Sequence, residues 1–336
     1  MALSFPAPIG GVPLKEDFAP SIVFACAFAI LIVVGAYRLA KPATRTLLIL
    51  GPFLFSVERV VTWSLRASQA RNPPENPSRS LTIYFQVTLA VGYISPLWGC
   101  IVHLLRCVFV ATTQVHSREP EAQTSNYDDP ALQQDKPRLR FWYRLVFGVV
   151  WLQQWLPVGT GTAMANLYVD AENNAKDAQG VQFCVRYITT ITSLFLVCVL
   201  HLATVYAYII ARGKNRRPII ILFILVALLG AIADYDLIAI TNWTTALSST
   251  APGSQNTHVE KIAFYIFRAA PEVLIAGSLL ILEVRPMFGT GPWGDPIRDP
   301  RPRSESTEPQ NGPRRELPRW MRATPLLAFI CGLRRR

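Results

Sequence analysis

Residues 218–241, PIIILFILVALLGAIADYDLIAIT, hold sixteen consecutive uncharged positions, nearly all strongly apolar, before the first acid at Asp234. At about 1.5 Å per residue they make a helix of about 36 Å, longer than the roughly 30 Å core of a bilayer. Arg212, Lys214, Arg216 and Arg217 stand immediately before it. Such a run behind a basic cluster reads as a membrane helix entered from the cytoplasmic side. Six more segments of the same kind occur: Ser21–Leu39, Thr44–Leu65, Leu81–Ala111, Phe141–Tyr168, Tyr187–Ala211 and Ile262–Val284. The reading is an all-α, polytopic membrane protein, a seven-transmembrane-helix bundle over residues 21–285. A short extracellular or luminal N-terminus (1–20) precedes it, and a basic, proline-rich cytoplasmic tail (286–336) follows.

Composition agrees. The chain has 336 residues, 51% hydrophobic and 16% charged, where soluble domains carry about 25% charged residues. An ordinary cytosolic enzyme, a disulfide scaffold and a disordered chain are excluded. The net charge of +11 would suit a nucleic-acid binder, but eleven of the basic residues lie from Arg285 onward, among nine of the 26 prolines. That tail lacks interleaved aromatics and cannot bury enough apolar surface to offset its ordering entropy, so disorder is expected and nucleic acid is not. The segment 112–140 reads as a flexible cytoplasmic linker. Together with the tail it is the expected contact for a cytoplasmic protein partner. Cys331, beside Arg334–Arg336, reads first as a plain tail cysteine and second as a palmitoylation site.

With the N-terminus outside, the cytoplasmic loops hold 11 basic residues against 7 on the outer side, and 22 against 7 with the tail. The sequon Asn242-Trp243-Thr244 then falls on the outer side. No cleavable signal peptide is visible. The expected location is an integral membrane position in the plasma membrane or an endomembrane of a eukaryote.

Ionisable residues inside a span are costly and usually face a bundle interior. Six stand out: Glu58, Arg59, Asp234, Asp236, Arg268 and Glu272. The helical rise puts Glu58 and Arg268 about 9 Å below the outer face and Glu272 about 15 Å, near the midplane. Asp234 falls in the outer quarter. Arg268 and Glu272 share a helix face at i, i+4, with Pro271 between them removing a backbone hydrogen bond. Arg59, Thr62 and Arg66 line one face of span 2. Asp234 and Asp236 point about 200° apart, and Asp234 is taken as the inward one. The expected pairs are Arg59 with Asp234 and Arg268 with Glu58. Kinks are expected at Pro52, Pro96, Pro157 and Pro271, and interhelical hydrogen bonds from Gln153 and Gln154.

No lysine stands within span 7 for a retinal Schiff base. No nucleophile–base pair, phosphate loop or metal-ligand spacing is present. The expectation is therefore not an enzyme, with no metal and no cofactor.

The stretch Arg59-Val60-Val61-Thr62-Trp63-Ser64-Leu65-Arg66, running through Ala70-Arg71-Asn72-Pro73-Pro74-Glu75-Asn76, resembles fungal seven-helix integral membrane proteins of unknown function. In that pattern an Arg–Thr–Arg stripe ends span 2 and a Pro/Asn loop follows. Gly92 and Arg106 in span 3 and Glu272 in span 7 fit it. The likeness covers about residues 50–110 and is topological elsewhere. It implies a fold and a fungal lineage, but no activity. A more limited likeness, carried by Arg268, Glu272 and Glu283, is to the fungal RTA-like family linked to lipid translocation. The Arg–Glu spacing is four here, where three is the pattern of that family.

Three functions follow as expectations. The first is a receptor or sensor, with Glu58, Arg59, Asp234, Arg268 and Glu272 binding a small or amphipathic ligand in a polar cavity of the outer half. The second is a transporter or lipid translocator using Glu272 as a midplane carboxylate. The third is a structural membrane protein in which the charges only pair helices.

Overall fold

The computed structural model describes residues 4–72, 78–113, 136–171, 180, 186–210, 216–292 and 294–297. Most of the linker expected over 112–140, the tail from residue 298 and Cys331 lie outside the described residues. The described chain is mostly helical. Six of its helical runs are long and apolar enough to cross a membrane. These are the runs of an integral membrane protein.

The first run holds α1 (Phe18–Ala40), entered through a 3-10 turn at Lys15–Asp17. The second is α2 (Leu50–Arg71), preceded by a 3-10 turn at Leu47–Ile49. It begins and ends six residues later than the sequence pattern predicts. The polar end, through Arg71, stays helical because its inner face is buried at Arg66, Ala67 and Ala70. Close approach of α1 and α2 rests on Gly35, where an added Cβ would lie 2.9 Å from Phe53 Cδ2. The rings of Phe24 and Trp63 stack at 5.0 Å across the same pair.

Proline sets the breaks. The third run is α3 (Arg79–Val91) and α4 (Gly99–Thr112), joined by a π turn at Ile94–Trp98. Pro96 offers no N–H there, and the widened turn lets Leu97 N and Trp98 N both reach the Tyr93 carbonyl. The expected fourth span is two helices, α5 (Pro137–Leu152) and α6 (Trp155–Ala171), of 16 and 17 residues. Each is shorter than the roughly 20 residues a crossing needs. They part at Gln153 and Gln154. Pro157 supplies no N–H to the Gln153 carbonyl, which accepts from Leu156 N instead, at 3.2 Å. The glutamines mark this break rather than bond across helices. Gln153 is exposed, and the buried Gln154 amide has no hydrogen-bond partner among the described residues.

The remaining runs are α7 (Tyr187–Ile210), α8 (Arg217–Ala239) and a composite of α9 (His258–Phe264), a π turn at Tyr265–Ala269 and α10 (Ala270–Ile281). Pro271 follows that π turn as Pro96 lies within the other. Two-residue strands β1 (Phe5–Pro6) and β2 (Trp243–Thr244) pair antiparallel at the N-terminal end of the bundle.

At the opposite end, α11 (Val284–Phe288) closes on Gly289, whose positive φ of 60° suits glycine. The chain then folds back. Leu47 N donates to Pro292 O at 2.9 Å, and Arg144 Nη2 meets Asp295 Oδ1 at 2.5 Å. Arg38 donates to the carbonyls of Leu280 and Leu282, tying α1 to the end of α10.

The glycine contact gives a direct check. Gly35→Leu forces side-chain atoms into Phe53 and Leu280 and is expected to cost about 1–3 kcal/mol, read as a lower Tm of the purified protein. Gly148→Leu, where nothing lies within 4 Å, should leave Tm unchanged. Equal effects of the two would mean the α1–α2 contact is not close-packed.

Candidate functional site

The buried charges form one chain across three helical runs. Arg59 on α2 donates from Nε to Glu272 Oε2 at 2.7 Å and from Nη2 to Glu272 Oε1 at 2.9 Å, a two-point clamp. Its Nη2 also donates to the Thr88 carbonyl at 3.0 Å and its Nη1 to Glu58 Oε2 at 2.9 Å. The guanidinium lies 4.5 Å from the Phe55 ring centroid. Arg59 and Arg268 are fully buried, as is Glu272. Glu58 is the partly exposed member, and its Oε1 accepts from Thr62 Oγ1 at 2.6 Å and from Tyr84 OH at 3.1 Å.

From Glu272 the chain continues to Arg268, whose Nε lies 3.7 Å from Oε1. Arg268 Nη1 donates to Asp236 Oδ2 at 2.8 Å, and the guanidinium sits 4.6 Å from the Tyr93 ring centroid. The order is Glu58–Arg59–Glu272–Arg268–Asp236, three acids against two bases. At the Asp236 end a cavity of about 10 Å³ is lined by Ile9, Arg186, Thr189, Thr190, Ser193 and Asp236. Such a volume is about that of one water, not of a ligand. Asp236 Oδ1 and Arg268 Nη2 are buried without a hydrogen-bond partner among the described residues.

Two expectations are corrected here. Asp236, not Asp234, points inward, and Arg59 pairs with Glu272 and Glu58 while Arg268 pairs with Asp236 and Glu272. The reason is helical phase. Leu222, Leu225, Leu229, Ile232 and Asp236 recur at alternating steps of three and four and make the buried face of α8. Asp234 is exposed and lines an open cleft of about 390 Å³ with Ala231, Ile238, Asn242, Glu260 and Phe267. The structure therefore gathers Glu58, Arg59, Arg268 and Glu272 and leaves Asp234 apart.

A second polar cluster escaped the sequence reading. Lys261 Nζ meets Asp17 Oδ2 at 2.7 Å, Tyr265 OH donates to Asp17 Oδ1 at 2.5 Å, and Arg66 Nη2 lies 3.8 Å from Asp17 Oδ2. Each of Asp17, Arg66 and Lys261 stands at the edge of a hydrophobic run, where snorkelling to water is the ordinary expectation. Only the path of residues 4–17 over the bundle buries them. Elsewhere, His201 Nδ1 bonds the Val197 carbonyl of its own helix at 3.3 Å. Among the described residues no three His, Cys, Asp or Glu side chains gather as a metal site.

Comparison with family models, with characterised proteins and with solved structures finds no match to this chain.

Removing one partner of a buried pair strands the other charge, at a cost of about 3–5 kcal/mol. Glu272→Gln and Asp236→Asn are expected to lower Tm markedly, Glu272→Gln more, since the amide keeps one acceptor of the Arg59 clamp, loses the other and loses the charge that both arginines share. Asp234→Asn, on an exposed group, should stay within about 0.5 kcal/mol of the parent. Thermal unfolding of the three purified variants checks this, and a large loss at Asp234 would reverse the assignment of the inward face.

Proposed function

We propose that this chain is a receptor-like or sensor protein of a eukaryotic, fungal membrane, not an enzyme, with the N-terminus outside and the C-terminus cytoplasmic. In this reading α5 and α6 together make a seventh crossing, which puts the termini on opposite sides. The bias of Lys and Arg supports that orientation. The ligand is small or amphipathic and acts in the outer half. The linker around 112–140 and the tail carry the contact with a cytoplasmic partner. The likeness to fungal seven-helix membrane proteins is part of the same proposal.

One observation carries it. Asp236, the end of the buried ion-pair chain, lines the same water-sized cavity as Ile9 and Arg186. Arg186 Nη2 in turn donates to the Ala7 carbonyl at 2.7 Å. Whatever shifts residues 7–9 at the outer end thus changes the surroundings of Asp236. From there the pairs run to Glu272 in the first turn of α10, whose far end is tied to α1 by Arg38. A chain of charges with alternative pairings is the kind of two-state element a sensor needs. The transporter reading draws less support, because Glu272 is fully buried and held by both arginines. The purely structural reading is the direct competitor.

Hydrogen exchange separates the two. In a sensor, Arg186→Ala should speed amide exchange at least fivefold in residues 284–292, at the opposite end of the bundle, with the global thermal transition retained. Exchange that changes only near the substituted residue would make the charges a static brace and end the receptor reading. Loss of flux in liposomes holding a folded Glu272→Gln protein, against parent flux of a defined solute, would favour the transporter instead.

A further inference from the structure

Residues 5–12, Phe-Pro-Ala-Pro-Ile-Gly-Gly-Val, are held by the bundle through the buried side chains of Phe5 and Ile9 and through many main-chain hydrogen bonds. Arg186 Nη2 donates to Ala7 O at 2.7 Å. Arg66 donates from Nη2 to Gly10 O at 3.0 Å and from Nη1 to Gly11 O at 3.4 Å. Lys261 Nζ donates to Val12 O at 2.6 Å and to Gly10 O at 3.2 Å. The N–H groups are matched as well. Ile9 N donates to Gln86 Oε1 at 3.2 Å, Val12 N to Asn256 Oδ1 at 2.8 Å, and Ala7 N to the Asn242 carbonyl at 3.0 Å.

These side chains come from α2, α3, α9, the turn before α7 and the loop before α9. All five are buried: Arg66, Gln86, Arg186, Asn256 and Lys261. Three buried cations facing neutral carbonyls would be costly without an acceptor-rich occupant. Asp17 pairs with Lys261 and Arg66, Arg186 also donates to the Ala239 carbonyl at 3.4 Å, and the segment supplies further acceptors to all three. The residue types of the occupant fit the same logic. Pro6 and Pro8 have no N–H to satisfy. Gly10 and Gly11 have φ of 71° and 62°, and an added Cβ would lie 2.6 Å from the Phe264 ring and 2.3 Å from Asn256 Oδ1. Only glycine fits at both.

We propose that this end of the bundle is a peptide-binding site, specific for a proline-containing segment that turns at a Gly-Gly step, and that residues 5–12 of the chain fill it in cis. A tethered segment acts at an effective concentration of about millimolar, so a free peptide competes poorly until the tether is loosened. The proposal needs no signalling and goes beyond the sensor reading. Binding without any change in exchange at the far end would uphold the site while ending that reading.

The test uses a fluorescent peptide of residues 4–14, SFPAPIGGVPL, titrated by anisotropy into purified full-length protein. Two vacated forms are compared with the parent: the full chain carrying Gly11→Ala, and a chain lacking residues 1–12. The folded state of each is checked by its thermal transition. Both vacated forms should bind saturably and at least tenfold more tightly than the parent. A peptide carrying Gly10→Ala, or a vacated protein carrying Arg66→Ala, should lose at least tenfold. A vacated form that keeps its transition and binds no better than the parent overturns the proposal. So does failure of both vacated forms to fold, which would make residues 5–12 an inseparable part of the bundle.

Discussion

The clamp of Arg59 on Glu272 is the contact on which the interior depends. A guanidinium taken out of water must have its hydration replaced on every side. Here two carboxylate oxygens, a second carboxylate, the Thr88 carbonyl and the Phe55 ring do so. The net gain of such a pair over an apolar one is small, whereas a missing partner is severe. Its consequence is therefore register more than stability: α2 and α10 fit together in the one alignment that brings these groups into contact. The π turn before α10 contributes to this. It sets Glu272 just past the π turn, with Oε1 3.7 Å from Arg268 Nε.

The same economy explains the breaks. In lipid every backbone group needs an internal partner, so a proline inside a run must be accommodated locally. Pro96 and Pro271 are absorbed by π turns at Ile94–Trp98 and Tyr265–Ala269, and Pro157 by the parting of α5 from α6. Two of the three breaks carry the charge chain directly. Arg268 stands in one π turn and Tyr93, under its guanidinium, borders the other. Turns of wider pitch re-aim side chains that a straight helix would hold elsewhere.

The sequence made the runs legible because length and apolar density survive any uncertainty of phase. The members Glu58, Arg59, Arg268 and Glu272 were legible for a related reason: a charge within an apolar run has few places to go. Pairing was not. The α8 run is apolar on every side, so nothing in its pattern tells which of Asp234 and Asp236 faces inward until neighbours pack against it. The cluster of Asp17, Arg66 and Lys261 was not legible, for the opposite reason. Residues at the ends of runs normally reach water, and their burial depends on where residues 4–17 travel, a long-range fact without local signature. The two glycines at 10 and 11 were the available hint, since adjacent glycines mark a backbone that must pass close to something.

The closure of the N-terminal end bears on any activity. Residues 5–12 cover the Asp236 end of the charge chain, and the cavity beneath them has room for about one water. Any change that begins there must displace a covering segment whose main chain is bonded to Arg66, Arg186 and Lys261. Without it Lys261 and Arg66 keep Asp17 and Arg186 keeps the Ala239 carbonyl, but each loses acceptors in a buried place. Moving the segment therefore obliges water, a competing chain or a new set of carboxylate partners to take its place, and Asp236, with an unpaired oxygen beside Arg186, is the nearest acid in the charge chain.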